Sequence, residues 1–208
     1  MTSTDLPAPE LEAVEVHGIS RASFILRGAL AAGAAYGAGA IAPFVSEAFA
    51  ASSDIDILNF ALTLEYLEAD FYNVKGKSVG LGGKAKSLAA EFGDEEAQHV
   101  AALGKAISAL GGKPVKAPTF AFPVSNEASF LKLAYLLENT GVGAYNGAGP
   151  ALQDKMLLAA AGSIVQVEAR HAAAIALLTN KAITPNGAFD KPLSMKQVLA
   201  KAGPLIKK

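Results

Sequence analysis

Cysteine is absent from the 208-residue sequence. Its absence excludes disulfide bonds, zinc sites built from thiolates, iron–sulfur clusters and lipid attachment through an N-terminal cysteine. An excess of positive charge is also lacking, because the formal net charge is −1 and no basic run is longer than the final pair Lys207 and Lys208. We therefore expect no nucleic-acid-binding surface.

Aromatic residues are scarce, at 7% of the sequence, and β-branched residues are sparse. Hydrophobic residues nevertheless make up 51% of the chain, with alanine and leucine dominant. This composition favours helices over sheets. A chain of this length can form one domain with a sizeable hydrophobic core.

The first 50 residues differ from the remainder in the order of their residue types. An acidic, polar start is followed by Arg21 and Arg27, then by an apolar run at residues 28–45 and by small residues around Phe49. A basic region, an apolar region and an Ala-x-Ala site in this order are typical of an export signal. We therefore expect the protein to be exported to the periplasm, the cell envelope or the medium.

One residue leaves the route of export open. Residues 20–26 resemble a twin-arginine motif, but Ala22 stands where the second arginine belongs. An uncleaved membrane anchor is the alternative interpretation, because the apolar run reaches the lower limit of a membrane span. Its glycines weaken it as a membrane helix. We predict an export signal in residues 1–50, a folded domain in residues 51–208, and membrane contact through the N-terminal segment alone.

Apolar residues at helical spacing predict four long helices and one short helix in the folded domain. The first begins at an N-cap formed by Asp54 or Asp56 and ends before the glycine-rich turn at residues 76–83. Glycine and proline at residues 147–150 are expected to break the third helix, and Ser194 to cap the last one. The remaining helices are predicted at about residues 85–110, 125–145, 152–180 and 195–202.

The lengths of the connections predict how the helices are arranged. Short links join helix one to helix two and helix three to helix four, so each pair forms an antiparallel hairpin. The longer link between helices two and three contains Pro114, Pro118 and Pro123, so it is not helical. Such a link suits a crossover along a four-helix bundle, which a plain up-and-down bundle does not need.

Two Glu-x-x-His motifs carry the chemistry of the chain. Helix two contains Glu96 and His99, and helix four contains Glu168 and His171. Residues three apart lie on one face of a helix, so each motif directs a carboxylate and an imidazole to one point. One such motif alone is also compatible with a solvated surface pair. The third histidine, His17, lies in the predicted export signal, so both histidines of the folded domain belong to this motif.

The surroundings of both motifs are apolar, and a buried carboxylate is normally protonated, paired or metal-bound. The other two helices supply further acids in an internal repeat, because Leu, Ala, Leu and Glu recur in register up to Glu65 and up to Glu138. Tyr72 and Tyr145 each follow these glutamates by seven residues, on the same helical face. Each tyrosine therefore either packs in the core or offers its hydroxyl group beside the acids.

The pattern of a glutamate, a Glu-x-x-His motif, a second glutamate and a second Glu-x-x-His motif is similar to that of the di-iron and di-manganese carboxylate proteins of the ferritin-like superfamily. Residues 58–72 in particular resemble the exported bacterial ferritin-like domain family, which includes proteins described as desiccation-related. The resemblance covers about residues 54–205. It implies an all-α, ferritin-like four-helix bundle with a long crossover between helices two and three and a short C-terminal helix.

The resemblance also implies a ligand set and a cofactor. Carried over position by position, the metal ligands are Glu65, Glu96, His99, Glu138, Glu168 and His171. Four carboxylates and two neutral imidazoles balance the charge of two divalent ions. Oxygen and nitrogen ligands suit iron or manganese, and zinc could also bind.

Three further residues are predicted to be catalytic: Glu68, Tyr72 and Tyr145. Glu68 is either an additional ligand or an acid beside the ligands, and its equivalent in the repeat is Gly141. We expect Gly141 and Gly143 either to open a path to the metals or to allow close helix packing. The remaining acids of this part of the chain are most simply solvated: Asp70, Glu91, Asp94 and Glu95.

Two hypotheses about function follow. In the first, the protein is an exported di-metal oxidoreductase that handles iron or reactive oxygen, as a ferroxidase or a peroxide-removing enzyme, with dioxygen or peroxide as substrate. In the second, the metals stabilise a stress- or desiccation-associated protein that has no turnover. No surface for assembly of a storage cage is recognisable, and whether the chain forms a homo-oligomer is left open.

Overall fold

The computed structural model describes residues 52–207 of the chain. The predicted export signal lies outside these residues. Five α-helices of eight or more residues lie within the described part: α1 Asp54–Asp70, α2 Gly83–Ala109, α3 Glu127–Ala148, α4 Lys155–Thr179 and α5 Met195–Ala202. No helix within residues 52–207 combines the length and apolar character that a membrane span requires.

Four of the five helices begin at a side chain that caps free backbone N–H groups, and the exception is α2, which begins after Gly82. The prediction that an aspartate caps α1 was wrong, because Ser53 is the N-cap and Asp56 completes its capping box. Asp54 instead accepts hydrogen bonds from the backbone N–H groups of Gln153 and Asp154, at 2.9 and 3.0 Å. The start of α1 is thereby tied to the link between α3 and α4. Asn126 and Ser194 cap α3 and α5.

Helix α1 does not end before the glycine-rich turn. It continues through a π-helical segment, Phe71–Lys75, and a further turn, Gly76–Ser78. A π-helical segment inside a helix changes the direction in which its side chains point and is frequent near functional sites. Here the segment carries Tyr72 into the core, where its side chain is 2% exposed.

Helix α3 also runs beyond its predicted end, because Gly147 lies inside the helix rather than breaking it. The residues after α4 cross this part of α3 at very short range. The N–H group of Leu193 donates a hydrogen bond to the carbonyl oxygen of Gly143, at 2.8 Å. A Cβ atom at Gly147 would lie 2.0 Å from the carbonyl oxygen of Leu193. The two glycines therefore serve close packing.

The four long helices form the bundle that the sequence predicts. Helix α1 packs mainly on α2, and α3 mainly on α4, which gives two helical hairpins. The connection between the hairpins passes along the bundle, and Phe120 within it forms a β-bridge with Ile206 near the C-terminus. The predicted all-α bundle with a long crossover is confirmed. Its hydrophobic core has two clusters, with buried acidic side chains at the centre of the bundle.

Candidate metal centre

All four long helices send charged side chains into the centre of the bundle. The six predicted ligands lie there: Glu65 on α1, Glu96 and His99 on α2, Glu138 on α3, and Glu168 and His171 on α4. The four glutamates are 0% exposed and His171 is 2% exposed. Neighbouring residues on each helix are apolar, so burial of the apolar stripe carries the acids into the core with it.

His99 directs its Nδ1 atom at three carboxylates from three helices. This atom lies 3.1 Å from Glu65 Oε2, 3.0 Å from Glu96 Oε2 and 3.3 Å from Glu168 Oε1. One nitrogen cannot form three hydrogen bonds with a single ring proton. The three oxygens and the nitrogen lie close enough together to bind one cation.

His171 has a similar environment on the other side of the cluster. Its Nδ1 atom lies 2.9 Å from Glu96 Oε1 and 3.4 Å from Glu138 Oε2. Its other ring nitrogen, Nε2, lies 2.7 Å from Glu95 Oε2. A carboxylate on the outer nitrogen fixes the ring and leaves the inner nitrogen free to bind a metal. Phe92 stacks on the same ring, with centroids 3.9 Å apart.

Two overlapping groups of donor atoms can each hold one metal ion. Both groups contain Glu96 and Glu168. The first adds Glu65 and His99, the second adds Glu138 and His171, and within each group the donor atoms lie within 4.8 Å of one another. The shared members come from the two Glu-x-x-His motifs, which places them between the two positions.

Several of these donor atoms have no hydrogen-bond partner although they are buried. Among residues 52–207 they are Glu96 Oε1, Glu138 Oε2, both carboxylate oxygens of Glu168, and His171 Nδ1. Leaving such an atom unsatisfied in a protein interior costs roughly 1–3 kcal/mol, and more for a charged group. A cation coordinated by these atoms removes that cost. The donor set of carboxylate oxygen and imidazole nitrogen fits iron or manganese.

The two predicted tyrosines hold the outer glutamates across the bundle. The hydroxyl group of Tyr145 on α3 donates a hydrogen bond to Glu65 Oε1 on α1. The hydroxyl group of Tyr72, which follows α1, donates to Glu138 Oε1 on α3. Each tyrosine is thus bonded to the glutamate of the other hairpin, and not to the one that precedes it by seven residues. A catalytic role for either tyrosine stays a prediction.

Glu68 and Gly141 lie next to each other at the edge of the cluster. The side chain of Glu68 is 3% exposed and belongs to neither donor group. A Cβ atom at Gly141 would lie 2.7 Å from Glu168 Oε2 and 3.4 Å from Glu68 Oε1. Of the two roles expected for Gly141, the structure therefore shows close packing, with carboxylates filling the space beside it.

Protons occupy the cluster when no metal is bound. Burial lowers the pKa of His99, but Glu168, Glu65 and Glu96 outweigh burial and raise it to about 12. Burial also lowers the pKa of His171, and Glu138 with Glu96 raises it to about 11. Both imidazoles are consequently protonated at neutral pH, and a metal ion has to displace these protons.

The carboxyl groups differ in their pKa, because burial and the neighbouring charges have different net effects on each of them. Burial raises the pKa of Glu65 to about 8, and it raises the pKa of Glu168 well above its ordinary value. For Glu68, burial and then repulsion from Glu168 raise the pKa well above the ordinary value. Burial acts on Glu96 as well, but the neighbouring imidazoles of His171 and His99 outweigh it and lower the pKa of Glu96 to about 2. Glu96 therefore carries negative charge in the metal-free cluster.

Sequence reasoning missed two residues of the centre. Glu95 was expected to be solvated, but it bonds to His171. Its position directly before a Glu-x-x-His motif was the available clue. Phe92 carried no clue at all, because a phenylalanine at helical spacing is most simply a core residue.

Comparison with known proteins agrees with this geometry. A family model described as a ferritin-like domain matches residues 53–181, which is more than half of the chain. The matched segment contains all six predicted ligands and both helical hairpins. No curated protein matches the chain in sequence.

Proposed function

Since the chain belongs to the ferritin-like domain family, we propose that it binds two redox-active metal ions and reacts them with dioxygen or peroxide. One observation carries the proposal: buried oxygen and nitrogen atoms from four helices converge without hydrogen-bond partners. A structural polar network would satisfy these atoms with one another. Unsatisfied donors around two points are instead what a pair of cations needs.

Six residues would hold the ions: Glu65, Glu96, His99, Glu138, Glu168 and His171. Four carboxylates and two neutral imidazoles balance two divalent ions, so the loaded centre is neutral and its burial is not opposed by net charge. Two ferrous ions bound there would supply two electrons, enough with two protons to reduce dioxygen to hydrogen peroxide.

The surrounding residues hold the ligands in place and supply protons to the centre. Burial, and then the charge of Glu65, raise the pKa of Tyr145 well above its ordinary value, so its hydroxyl group stays protonated. That hydroxyl group holds Glu65 in place through its hydrogen bond. Glu68, whose pKa is also raised, keeps a proton on its carboxyl group at the edge of the cluster. Reduction of an oxidant consumes protons, and Glu68 is positioned to provide one.

We also propose that the protein is exported. The support is the order of basic residues, an apolar run and small residues within positions 1–50. The mass of the mature protein from its host, together with fractionation of the cell, tests this. A full-length chain in the cytoplasm would contradict export and leave the metal centre untouched.

The redox proposal is tested by loading the protein with iron or manganese without air and then adding dioxygen or peroxide. We expect two metal ions per chain by elemental analysis, and consumption of one oxidant faster than by the same amount of free metal. The variant Glu96→Gln/Glu168→Gln changes both shared ligands and should lose metal and consumption together.

Each result of this experiment decides between the two hypotheses. Two bound ions with no consumption above free metal would establish the alternative function, a protein that metals stabilise without turnover. Absence of bound metal in wild-type protein at micromolar free metal would refute both. Retention of both ions by the double variant would refute the assignment of the ligands.

A further inference from the structure

An apolar cavity lies beside the metal centre, toward the end of the bundle where α1 begins. Its volume is about 70 Å³, and it is formed by side chains from all four long helices, among them Leu58, Ala61, Leu103, Tyr145 and Ala161. Tyr145 alone among the described residues that line it has a polar side chain. The hydroxyl group of Tyr145 is already bonded to Glu65. The cavity therefore offers no free polar partner to a guest.

The cavity occupies the layer of the bundle next to the ligands. Three lining residues lie four positions from a predicted ligand on the same helix: Ala61 with Glu65, Leu103 with His99, and Ile164 with Glu168. Residues four apart share a helical face, and four residues advance a helix by about 6 Å. The cavity is thus separated from the centre by one helical turn, with the Tyr145 ring between them.

The opposite side of the centre is filled. There Tyr72 packs edge-on against Phe92 and Phe130, and Phe71 stacks on Phe130 with centroids 4.3 Å apart. Tyr72 and Tyr145 are equivalent in the internal repeat, yet one is packed among phenyl rings and the other lines open space. Open space therefore borders the layer of the ligands on the Tyr145 side.

The chemistry of the lining selects the guest. Water needs two to four polar partners in a buried site, and hydrogen peroxide also forms hydrogen bonds, so neither is favoured here. Dry apolar cavities take up apolar guests instead, and one of about 150 Å³ binds benzene or xenon. A cavity of about half that size suits a diatomic gas. Ala102 and Ala160 line the same cavity and are exposed, so the cavity reaches the surface between α2 and α4.

We propose that this cavity binds dioxygen and delivers it to the metal centre. The proposal rests on the redox function proposed above and narrows the choice of oxidant. The apolar lining favours dioxygen over hydrogen peroxide. Alanines on three helices keep the space open: Ala61 on α1, Ala144 on α3 and Ala161 on α4. A larger side chain at any of them would fill it.

Xenon is the probe for the cavity, because it is apolar, similar in size to dioxygen and visible in crystals. Crystals of the metal-loaded full chain under xenon pressure should show xenon between Ala61 and Ala161. The variant Ala161→Leu adds three carbon atoms to the cavity and should abolish the xenon peak. The matched control is Ala159→Leu, an exposed position on the same helix that does not line the cavity.

Kinetics provide the second readout. Ala161→Leu should raise the KM for dioxygen by about tenfold or more, because it fills the site that concentrates the gas. Its rate with hydrogen peroxide and its metal content should equal those of the Ala159→Leu control.

The possible failures are distinguishable. Xenon absent from the wild-type cavity would overturn the proposal, and this measurement does not depend on a variant that folds. Xenon binding with an unchanged KM for dioxygen in Ala161→Leu would overturn delivery through the cavity. Xenon binding without any dioxygen consumption by wild-type protein would refute the redox function, and delivery with it, while the cavity remains a binding site for apolar gas.

Discussion

The substitution Gly141→Ala adds one methyl group next to Glu168 and tests how much free space surrounds the metal ligands. Glycine inside a helix is normally unfavourable, and replacing it by alanine stabilises a helix by roughly 0.5–1 kcal/mol. Gly141 lies in the middle of α3, so this gain is available there too. The structure predicts a large opposing effect, because the new Cβ atom would lie 2.7 Å from Glu168 Oε2.

The size of the effect follows from that distance. Glu168 Oε2 would have to move by about 0.7 Å to reach an ordinary van der Waals contact of 3.4 Å. Metal–ligand distances tolerate deviations of about 0.2 Å. Glu168 belongs to both donor groups, so its displacement disturbs both positions. We expect Gly141→Ala to weaken metal binding by about 10–100-fold, the loss typical when the support of a ligand is altered.

Two other glycines provide matched controls. Gly104 in α2 and Gly162 in α4 are helical, and a Cβ atom at either would meet no atom within 4 Å. Gly104→Ala and Gly162→Ala should therefore stabilise the metal-free protein by about 0.5–1 kcal/mol and leave metal affinity unchanged. Calorimetric titration with manganese or zinc measures the affinity, and urea unfolding with and without metal measures the stability.

One result would refute this reasoning. If Gly141→Ala binds two ions as tightly as the wild type and gains the same stability as Gly162→Ala, Glu168 has room that the structure does not show. The same measurement bears on the expectation that Gly141 opens a path for the oxidant, since a path would tolerate a methyl group.

Three further predictions concern the residues around the ligands. Glu95→Gln should weaken metal binding by about 10–100-fold, because it removes the charge that orients His171. Glu91→Gln changes an exposed position and should have no effect. Calorimetric titration compares the metal affinity of the two variants. Tyr145→Phe should destabilise the metal-free protein by roughly 1–3 kcal/mol, because a buried carboxylate loses its donor, and urea unfolding measures this. Metal affinity should rise with pH through neutrality and go on rising above pH 8, because metal displaces protons from both imidazoles, whose pKa is raised to about 12 for His99 and about 11 for His171. Titrations in buffers of different ionisation enthalpy count these protons, and a count of zero would contradict the raised pKa values.

The sequence was sufficient for the helices and their pairing because both depend on local information. Helical spacing, cap residues and link lengths determine where each helix lies and which hairpins form. The N-cap of α1 was a local error, because Ser53 and Asp56 form the capping box. The two other errors occurred where tertiary packing decides. Gly147 stays helical because Leu193 crosses it, and α1 continues past Lys75 because the π-helical segment packs Tyr72 into the core. Neither contact has a trace in the local sequence.

In the candidate metal centre, too, some features could be predicted from the local sequence and others could not. Spacing along one helix brings together each Glu-x-x-His pair, so the ligands could be predicted helix by helix. Contacts between helices depend on how each helix is rotated about its axis, which spacing alone does not give. The bond from Glu95 to His171 and the bonds from each tyrosine to the opposite hairpin are of this kind. The cavity beside Tyr145 depends on side-chain volumes contributed by all four helices.

The internal repeat has different residues at one pair of equivalent positions near the ligands, and in the structure these two residues lie next to each other. Glu68 and Gly141 are equivalent positions of the two hairpins, and the sequence suggests an acidic side of the centre opposite a glycine side. In the structure a Cβ atom at Gly141 would instead touch Glu68, because equivalent positions near the centre of the bundle face each other. A glutamate at both positions would place two more carboxylates where Glu168 already raises the pKa of Glu68. The glycine thus makes room for the single extra acid.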